Sequence, residues 1–386
     1  MKHGSNRQRS PTGDCKTSRD EGMAFQKLGD EATMTSKSML AIGDVAADTG
    51  QRARGFITIG ETPSGAIEVP IAIINGHADG PVLCLTAGVH ATEYAPIDAV
   101  LRTIDSLDPA KLRGAVIAVP VANMPMFGAR TPFVSQIDGL NLNKIAPGRK
   151  DGSVSEILAH VLLEEVIAKA RYHIDLHAGD FGEALWPFAG YPLTGNDELD
   201  REGEALARLY TPGMVSLSRE GSTIPPFAGS IVYSASRQGI VSILAESGGD
   251  GTLEAADVKI HVDGIRNVMR YLGMIDGEPH LAGYHLQATD RFAMTARRAG
   301  LIRLKVAIGD SVAANQEVAE ICDVFGEAVE RIRSPRPGIV GLIWTHKVAN
   351  TGDPVVRCWV TEPAPSFALE RHGTRPEQKG MPDRFN

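Results

Sequence analysis

Cysteine is scarce in this sequence of 386 residues. The four cysteines are Cys15, Cys84, Cys322 and Cys358. No pair has the C-x-x-C spacing, which argues against a structural zinc site built from thiolates. Cys84 lies in an apolar run and is expected to be a buried thiol. This cysteine usage suits a reducing compartment, so we expect a cytoplasmic protein.

Long apolar runs and excess positive charge are also missing. No apolar stretch reaches the roughly 18 residues of a membrane-spanning helix, so no membrane span is expected. The net charge of -8 argues against nucleic acid or an anionic membrane as a partner. The polar segment from Met1 to about Lys37 lacks the apolar core of a secretory signal. We expect a disordered extension there, or an upstream start-site artefact with Met34 or Met39 as the real first residue.

The first half of the chain alternates short apolar runs with helical patterns. Val82–Ala87 and Val116–Val121 read as strands buried on both faces. Helical spacing predicts three helices, over residues 96–107, 155–169 and 258–272. Pro70 cannot donate a ladder hydrogen bond, so its strand is expected at a sheet edge or to start near that residue. Strands alternating with helices predict an α/β domain with a mostly parallel sheet flanked by helices.

The pattern changes after about residue 278. Short β-type runs there alternate with turns, including Gly309-Asp310 and Gly352-Asp353, which indicates a small all-β domain. The predicted organisation is an N-terminal extension over 1–40, a catalytic domain over 41–280, a β-sandwich or barrel-like domain over 281–363 and a flexible tail over 364–386.

Three strand-like runs are followed by side chains suited to metal chemistry. The first leads into Gly88-Val89-His90-Ala91-Thr92-Glu93, the second ends at His177, and the third ends at Glu246. Ligands of open α/β sheets bind beyond the carboxyl ends of strands, so these segments are expected to form one site. Two histidines and one glutamate can hold a zinc ion with a position left for water, and a second glutamate can take the proton of that water.

Each of these residues also has an ordinary structural explanation. A single H-x-x-E fits a capped helix start, a lone histidine is more often structural, and Glu246 could be a strand-end residue that reaches water. Asp175 could orient the imidazole of either His90 or His177, because metal-bound imidazoles usually donate their other N–H to a carboxylate or carbonyl. The shared placement after strands is what favours the metal site.

Further polar residues lie in the loops between the first two site segments. Arg130 is a candidate partner for the tetrahedral oxyanion of a hydrolytic reaction. Asn143 and Lys144 offer a hydrogen-bond donor and a positive charge to a substrate carboxylate. A surface loop would explain each of them equally well.

Together these motifs resemble the succinylglutamate desuccinylase/aspartoacylase family, a branch of the zinc carboxypeptidase-like clan. The resemblance covers about residues 50 to 363. The family's G-x-H-x-x-E implies His90 and Glu93 as zinc ligands, its D-L-H implies His177 as the third, and its E-x-G implies Glu246 as the catalytic base. Its D-L-N-R-x-F-P-G corresponds to residues 141–148 with Asn141, Lys144 and Ala146 in place of Asp, Arg and Phe. Because lysine lacks the bidentate fork of arginine, Arg149 is a further candidate for carboxylate binding.

The resemblance implies a zinc-carboxypeptidase-like fold, one Zn²⁺ per chain and removal of an acyl group from an N-acyl amino acid or a related small amide. It also implies that the C-terminal β domain acts as a lid over the cleft or as an oligomer contact. Two alternatives remain open: a metallocarboxypeptidase acting on peptides, and a non-catalytic binding protein on the same fold. A homo-oligomer is also left open.

Overall fold

The computed structural model describes residues 39–211, 213–219, 221–222, 224–281 and 285–369. The predicted N-terminal extension lies outside the described residues up to position 38, and so does the predicted tail from position 370. Within the described ranges, no helix is both long enough and apolar enough to cross a membrane.

The chain forms helices mainly in its first two thirds and strands throughout. The α-helices are α1 (Tyr94–Ser106), α2 (Met124–Ala129), α3 (Val154–Val161), α4 (Asp197–Tyr210), α5 (Ile231–Arg237) and α6 (Ala255–Tyr271). The strands before residue 280 are β1 (Leu40–Ile42), β2 (Val45–Ala47), β3 (Gln51–Thr62), β4 (Gly65–Asn75), β5 (Ala78–Thr86), β6 (Arg113–Val119), β7 (Tyr172–His177), β8 (Glu183–Leu185), β9 (Phe188–Pro192), β10 (Met214–Ser218) and β11 (Val241–Glu246). The later strands are β12 (Leu286–Thr295), β13 (Gly300–Leu304), β14 (Ser311–Val312), β15 (Glu317–Cys322), β16 (Ala328–Arg333), β17 (Gly338–Trp344), β18 (Val348–Ala349) and β19 (Pro354–Pro363).

A large mixed sheet dominates the structure. Among the described residues it has 13 strands in the order β14-β17-β19-β12-β10-β9-β11-β7-β5-β6-β4-β3, with β8 paired to β17. Strands β6, β5, β7 and β11 are neighbours and run parallel. The carboxyl ends of β5, β7 and β11 therefore meet at one edge of the sheet, where the three candidate site segments begin. The predicted α/β class with a C-terminal β region is confirmed.

The central strands are buried on both faces, as predicted from their apolar runs. Leu83 and Leu85 of β5 pack in one core together with α1, α4 and α6. The alternating residue Cys84 packs in the opposite core with α3 and α5. Cys84 is completely buried, as expected, and burial raises the pKa of its thiol.

The helix predictions are confirmed in position but not in every detail. The first and third predicted helices correspond to α1 and α6. The second begins as α3 with a capping box between Ser153 and Glu156, then continues as a π-helical turn over Leu162–Val166 and a 3₁₀ turn over Ile167–Lys169. Apolar spacing alone does not distinguish these helical forms, because all of them keep one face toward the core.

The prediction that the strand containing Pro70 lies at a sheet edge, or starts near this residue, is wrong. Its strand, β4, starts five residues earlier and is second from the edge, between β3 and β6. Pro70 pairs only with Phe56 of β3, since the β4–β6 register begins at Ala72. The missing N–H is thus accommodated locally, where one side of the strand has no ladder partner.

The strands after residue 285 both extend the large sheet and form a second one. Strand β12 pairs parallel to β10 and antiparallel to β19, which joins the C-terminal strands to the large sheet. Strands β16, β15, β13 and β18 form a separate four-stranded sheet, whose apolar side chains share one core with those of β12, β14, β17 and β19. The predicted domain boundary near residue 280 stays a prediction.

The burial of the central strands on both faces of the sheet leads to a prediction about stability. We expect Leu83→Ala to lower the free energy of unfolding by about 2–5 kcal/mol, because the substitution leaves a cavity at a fully buried position. The matched control is Leu101→Ala on α1, where the leucine is 44% exposed and a much smaller change is expected. Denaturant unfolding of both variants measures the difference, and equal losses would contradict the assignment of the core.

Candidate active site

The first site segment turns sharply after β5. Gly88 has φ +63°, and a Cβ at this position would meet the Cα of Val121 at 3.0 Å, so the turn requires glycine. The backbone N–H of Glu93 then donates to the carbonyl of His90 at 3.3 Å, and α1 begins at the next residue. Glu93 lies at the N-cap but its side chain makes no capping hydrogen bond. Its carboxylate is used elsewhere, which disfavours the capped-helix explanation of H-x-x-E.

The second and third site segments place a histidine and a glutamate side by side at the ends of two neighbouring strands. His177 is the last residue of β7 and Glu246 the last of β11. The two residues are direct partners in the parallel register of these strands. Paired residues in a sheet project from the same face, so the register brings Glu246 next to His177.

Glu93 joins both imidazoles. Its Oε1 is 2.8 Å from Nδ1 of His90 and its Oε2 is 2.9 Å from Nδ1 of His177. The backbone N–H of Ala178 also donates to Oε2 at 3.1 Å. One possible ligand atom from each of His90, Glu93 and His177 lies within 4.8 Å of the others, so the group could hold a metal ion.

The opposite nitrogen of each imidazole has its own acceptor. His90 Nε2 is 3.1 Å from Oδ1 of Asn141, and His177 Nε2 is 3.1 Å from Oδ2 of Asp175. When both Nε2 atoms donate, both Nδ1 lone pairs face the carboxylate of Glu93, an arrangement that is favourable around a cation. Metal-bound histidines typically show this pattern. The donor set therefore fits a divalent metal ion such as zinc.

A buried hydrogen-bond network fixes Asp175 in turn. Thr86 donates to Oδ1 of Asp175 at 2.5 Å and lies 2.9 Å from Nε2 of His173. The Nδ1 atom of His173 is 2.7 Å from the hydroxyl of Ser242. Burial lowers the pKa of His173 to about 4, which keeps this imidazole neutral. Of the two histidines that Asp175 could have served, the structure selects His177.

Electrostatics separate the two glutamates. Burial raises the pKa of Glu93, but the adjacent imidazoles outweigh it and bring the pKa to about 2. Burial raises the pKa of Glu246 well above its usual value, and the charges of Glu93, Glu183 and Asp175 add to this effect while His177 opposes it. The Oε2 atom of Glu246 is buried without a hydrogen-bond partner in the described part of the chain. The structure thus keeps one carboxylate ionised and leaves the other unsatisfied.

These groups line a cavity of about 290 Å³. Its walls come from the three candidate site segments, from neighbouring loops and from the C-terminal strands. Beside His90, Glu93, His177 and Glu246, the lining residues include Phe133, Asn143, Lys144, Glu183, Pro226, Arg291, Leu342, Arg357 and Trp359. The backbone of Phe133 is tied to this region, since its N–H donates to Oδ2 of Asp180 at 2.6 Å. A space of this size suits a small molecule.

The structure brings most of the predicted site residues together, but not all. Asn143 and Lys144 line the cavity, and Nδ2 of Asn143 is 3.4 Å from Nε2 of His177. Arg130 is an exposed residue at the C-terminal cap of α2 and is not part of the lining. Arg149 is also outside the lining and pairs with Oε1 of Glu156 at 3.3 Å. The roles proposed for these two arginines stay predictions.

Sequence reasoning did not assign four residues that the structure brings to this region. Asn141 is the acceptor for His90, and Arg291, Arg357 and Trp359 supply the wall from the C-terminal strands. The signal for Asn141 was available, because it precedes Asn143 in the motif already singled out. The other three carry no motif, and only the pairing of β12 with β10 and β19 shows that they reach the site.

The model of the succinylglutamate desuccinylase/aspartoacylase catalytic domain matches residues 79–272. The chain belongs to this family. The match includes all three candidate ligands and Glu246, and it ends one residue after α6.

Named relatives in the family are deacylases. The N-alpha-acetyl-L-2,4-diaminobutyric acid deacetylase of Halomonas elongata is 30% identical over 307 residues, which cover 76% of this chain and 86% of that protein. The succinylglutamate desuccinylase of Ectopseudomonas mendocina is 28% identical over 59% of this chain and 68% of its own length. A product-bound structure of the ectoine utilization protein EutE (DoeB) from Ruegeria pomeroyi has a TM-score of 0.73 and 25% identity, and the match covers 80% of this chain and 94% of that one.

The contact between Asn141 and His90 generates a prediction about metal affinity. We expect Asn141→Ala to weaken zinc binding by about tenfold to a hundredfold, because the variant loses the acceptor that orients the imidazole. Competition with a chromophoric chelator measures the dissociation constant. The control is Gln238→Ala, whose amide binds Glu164 at the surface. Unchanged zinc affinity in Asn141→Ala would contradict the orienting role.

Proposed function

We propose that this protein is a zinc-dependent amidohydrolase that removes the acyl group from an N-acyl amino acid or a related small amide. The observation that carries the proposal is the convergence of His90, Glu93 and His177 next to the unsatisfied carboxylate of Glu246 in one small cavity. Membership of a family whose named relatives remove acetyl and succinyl groups supports the substrate class.

His90, Glu93 and His177 would hold one zinc ion per chain. When bound, zinc polarises a carbonyl and lowers the pKa of water to about 7. The chain itself prepares the ligands: Asn141 and Asp175 fix the imidazoles, and the Ala178 N–H holds Oε2 of Glu93. The ligand geometry is therefore set before substrate binds, and little reorganisation is needed.

Glu246 would transfer a proton from the attacking water to the leaving nitrogen. Its position beside His177 and its unpartnered Oε2 suit a group that accepts a proton from the attacking water. The same carboxyl group would then donate that proton to the leaving nitrogen, so that an amine and a carboxylate are released. Glu246 is partly buried and lines the cavity, so its carboxyl group can reach a bound substrate.

Asn143 and Lys144 would bind the α-carboxylate of the amino acid. The Oδ1 atom of Asn143 accepts from the backbone N–H of Ile231 at 3.1 Å, which fixes the amide and leaves Nδ2 as the donor. Arg130 as the oxyanion partner and Arg149 as a second carboxylate ligand remain part of the proposal. Neither lines the cavity, so either role requires its loop to move.

The size of the cavity favours a deacylase over a metallocarboxypeptidase. A volume of about 290 Å³, bounded on one side by Leu342 and Trp359 of the C-terminal strands, suits a small amide rather than an extended peptide. The strands thus fit the predicted lid over the cleft. A non-catalytic binding protein is the second alternative, and metal content together with turnover distinguishes it from the enzyme. A cytoplasmic location and a homo-oligomer stay expectations.

Substitution of Glu246 tests the catalytic assignment. We expect Glu246→Gln to keep zinc and to lower kcat by roughly a hundredfold to ten-thousandfold, because an amide cannot accept the proton. His90→Ala is expected to lose both zinc and turnover. Metal analysis and hydrolysis of N-acetyl, N-succinyl and other N-acyl amino acids measure these effects.

The matched control is Glu165→Gln, which changes an exposed glutamate outside the cavity and is expected to leave both properties unchanged. Full activity in Glu246→Gln would remove this residue as the base. A pure protein that contains no zinc, and whose stability does not change on chelation, would favour the binding-protein alternative.

A further inference from the structure

We infer that Tyr210 and His261 are positioning residues, which hold the backbone of Ser247 and thereby fix the carboxylate of Glu246 beside the candidate metal site. The inference rests on the proposed function, in which Glu246 transfers the proton. It extends that function to two buried side chains, on α4 and α6, that do not line the cavity. Both act on Glu246 through the residue that follows it.

The carboxylate of Glu246 depends on its backbone for its position. Among the residues that the structure describes, none donates a hydrogen bond to this carboxylate, and its Oε2 atom is buried. A side chain without partners takes its direction from the backbone that carries it. Glu246 is the last residue of β11, so the strand fixes only the chain before it. The contacts of the next residue therefore decide where the proton-transfer group lies.

Ser247 is completely buried and is held by three hydrogen bonds. Its backbone N–H donates to the carbonyl of His177 at 3.1 Å. Its hydroxyl donates to Oδ1 of Asp257 at 3.1 Å, and its carbonyl accepts from Nε2 of His261 at 3.1 Å. Asp257 and His261 are four residues apart on α6, so they share one face of that helix. The helix thus holds the residue directly after Glu246.

The hydrogen-bond partners determine where His261 carries its proton. A carbonyl only accepts, so Nε2 carries the hydrogen that bonds Ser247. The Nδ1 atom is then the acceptor, and the hydroxyl of Tyr210, 2.7 Å away, is its donor. Burial raises the pKa of Tyr210 well above its usual value and lowers the pKa of His261 to about 4, so both groups stay neutral. Tyr210 therefore selects the tautomer of His261 that donates to Ser247.

The pair is buried at a cost to the local structure. Tyr210 is 3% exposed and belongs to an apolar core, and the ring of His261 lies edge-on to it with the centroids 6.0 Å apart. Gly264 provides the space on α6, because a Cβ there would lie 2.8 Å from the carbonyl of Tyr210. A glycine inside a helix is unfavourable, and so is a polar pair inside a core unless it is fully hydrogen-bonded. Exceptions of this kind are typical of functional sites.

An ordinary structural role is the competing explanation. Asn267, which is also buried on α6, shows what such a role looks like. Its amide bonds the carbonyls of Leu209 and His280 and accepts from the backbone N–H of His280, and none of these residues lines the cavity. The hydrogen bonds of Tyr210 and His261 end instead on the residue next to Glu246. This endpoint favours positioning over fold stability alone.

Two amide substitutions at position 261 separate the two explanations. We expect His261→Asn to keep zinc and to lower kcat by about tenfold to a hundredfold with KM nearly unchanged, because a small displacement of a reacting group has an effect of this size. The shorter amide reaches Tyr210 but not Ser247. His261→Gln should recover most of the loss, since its longer amide can replace Nε2 as the donor. Steady-state hydrolysis of N-acyl amino acids and metal analysis measure these effects.

Tyr210 is tested by a double-mutant cycle. Tyr210→Phe alone should lower kcat by a smaller factor, because the imidazole keeps its contact with Ser247 but loses the donor that selects its tautomer. Added to His261→Asn, it should cause no further loss of kcat, because Tyr210 acts only through His261. Asn267→Ala is the matched control. It removes a buried amide from the same helix and is expected to lower the melting temperature but not kcat.

Crystal structures give a readout that does not depend on turnover. We expect the carbonyl of Ser247 and the carboxylate of Glu246 to move by roughly 1 Å in His261→Asn, a misplacement large enough to account for the expected loss of rate. In His261→Gln and Asn267→Ala both groups should keep their wild-type positions. Zinc-loaded protein is used throughout.

Three results would overturn the inference. The first is full kcat in His261→Asn. The second is an equal loss of kcat in His261→Gln or in Asn267→Ala, which would indicate packing or stability. The third is an unmoved carboxylate of Glu246 in the structure of His261→Asn. A wild-type protein that hydrolyses none of the amides would contradict the proposed function, and the position of Glu246 in the crystal structures would still decide whether the pair holds it.

Discussion

The bridge between Glu93 and two histidines is the contact on which the site depends. It joins a turn after β5 to the end of β7, two segments more than eighty residues apart in sequence. The bridge is possible because β5 and β7 are parallel neighbours whose carboxyl ends lie at the same edge. A buried carboxylate is costly unless positive charge lies beside it, so the arrangement favours a cation at its centre, either on the imidazoles or as a bound metal ion. The mixed sheet can be understood as the frame that keeps these three side chains within reach of each other.

The residues that orient the two histidines are themselves held by hydrogen bonds. Asp175 is held by Thr86, and Asn141 is fixed through its own contact with the backbone N–H of Asn143 at 2.9 Å. Asp175 and Asn141 therefore orient the lone pairs of both imidazoles. In this chain the acceptor for His90 is an amide, where the family motif has an acidic residue at the corresponding position. An amide oxygen still accepts the Nε2 proton but adds no negative charge to the site.

The sequence was sufficient for the parts of the structure that follow periodic rules. Apolar runs predicted β5 and β6, apolar spacing predicted α1 and α6, and strand ends predicted where His90, Glu93, His177 and Glu246 would meet. The position of Arg291 and Arg357 could not be predicted in this way. Their approach to the cavity depends on which strands pair across the sheet, and pairing between β10 and β12 leaves no local pattern. The edge-strand prediction from Pro70 failed for a related reason, since a missing hydrogen-bond donor constrains only one side of a strand.

The pairing of β10 with β12 has a consequence for how members of the family diverge. The candidate metal ligands and Glu246 lie in the turn after β5 and at the ends of β7 and β11, all before residue 250, whereas the far wall of the cavity comes from strands that follow residue 285. Because these strands are hydrogen-bonded into one sheet, the wall stays aligned with the reacting centre while its side chains are free to vary. Substitutions at a few cavity-facing positions of β12, β17 and β19 can therefore change which substrates a member of the family accepts without altering the residues at the ends of β5, β7 and β11.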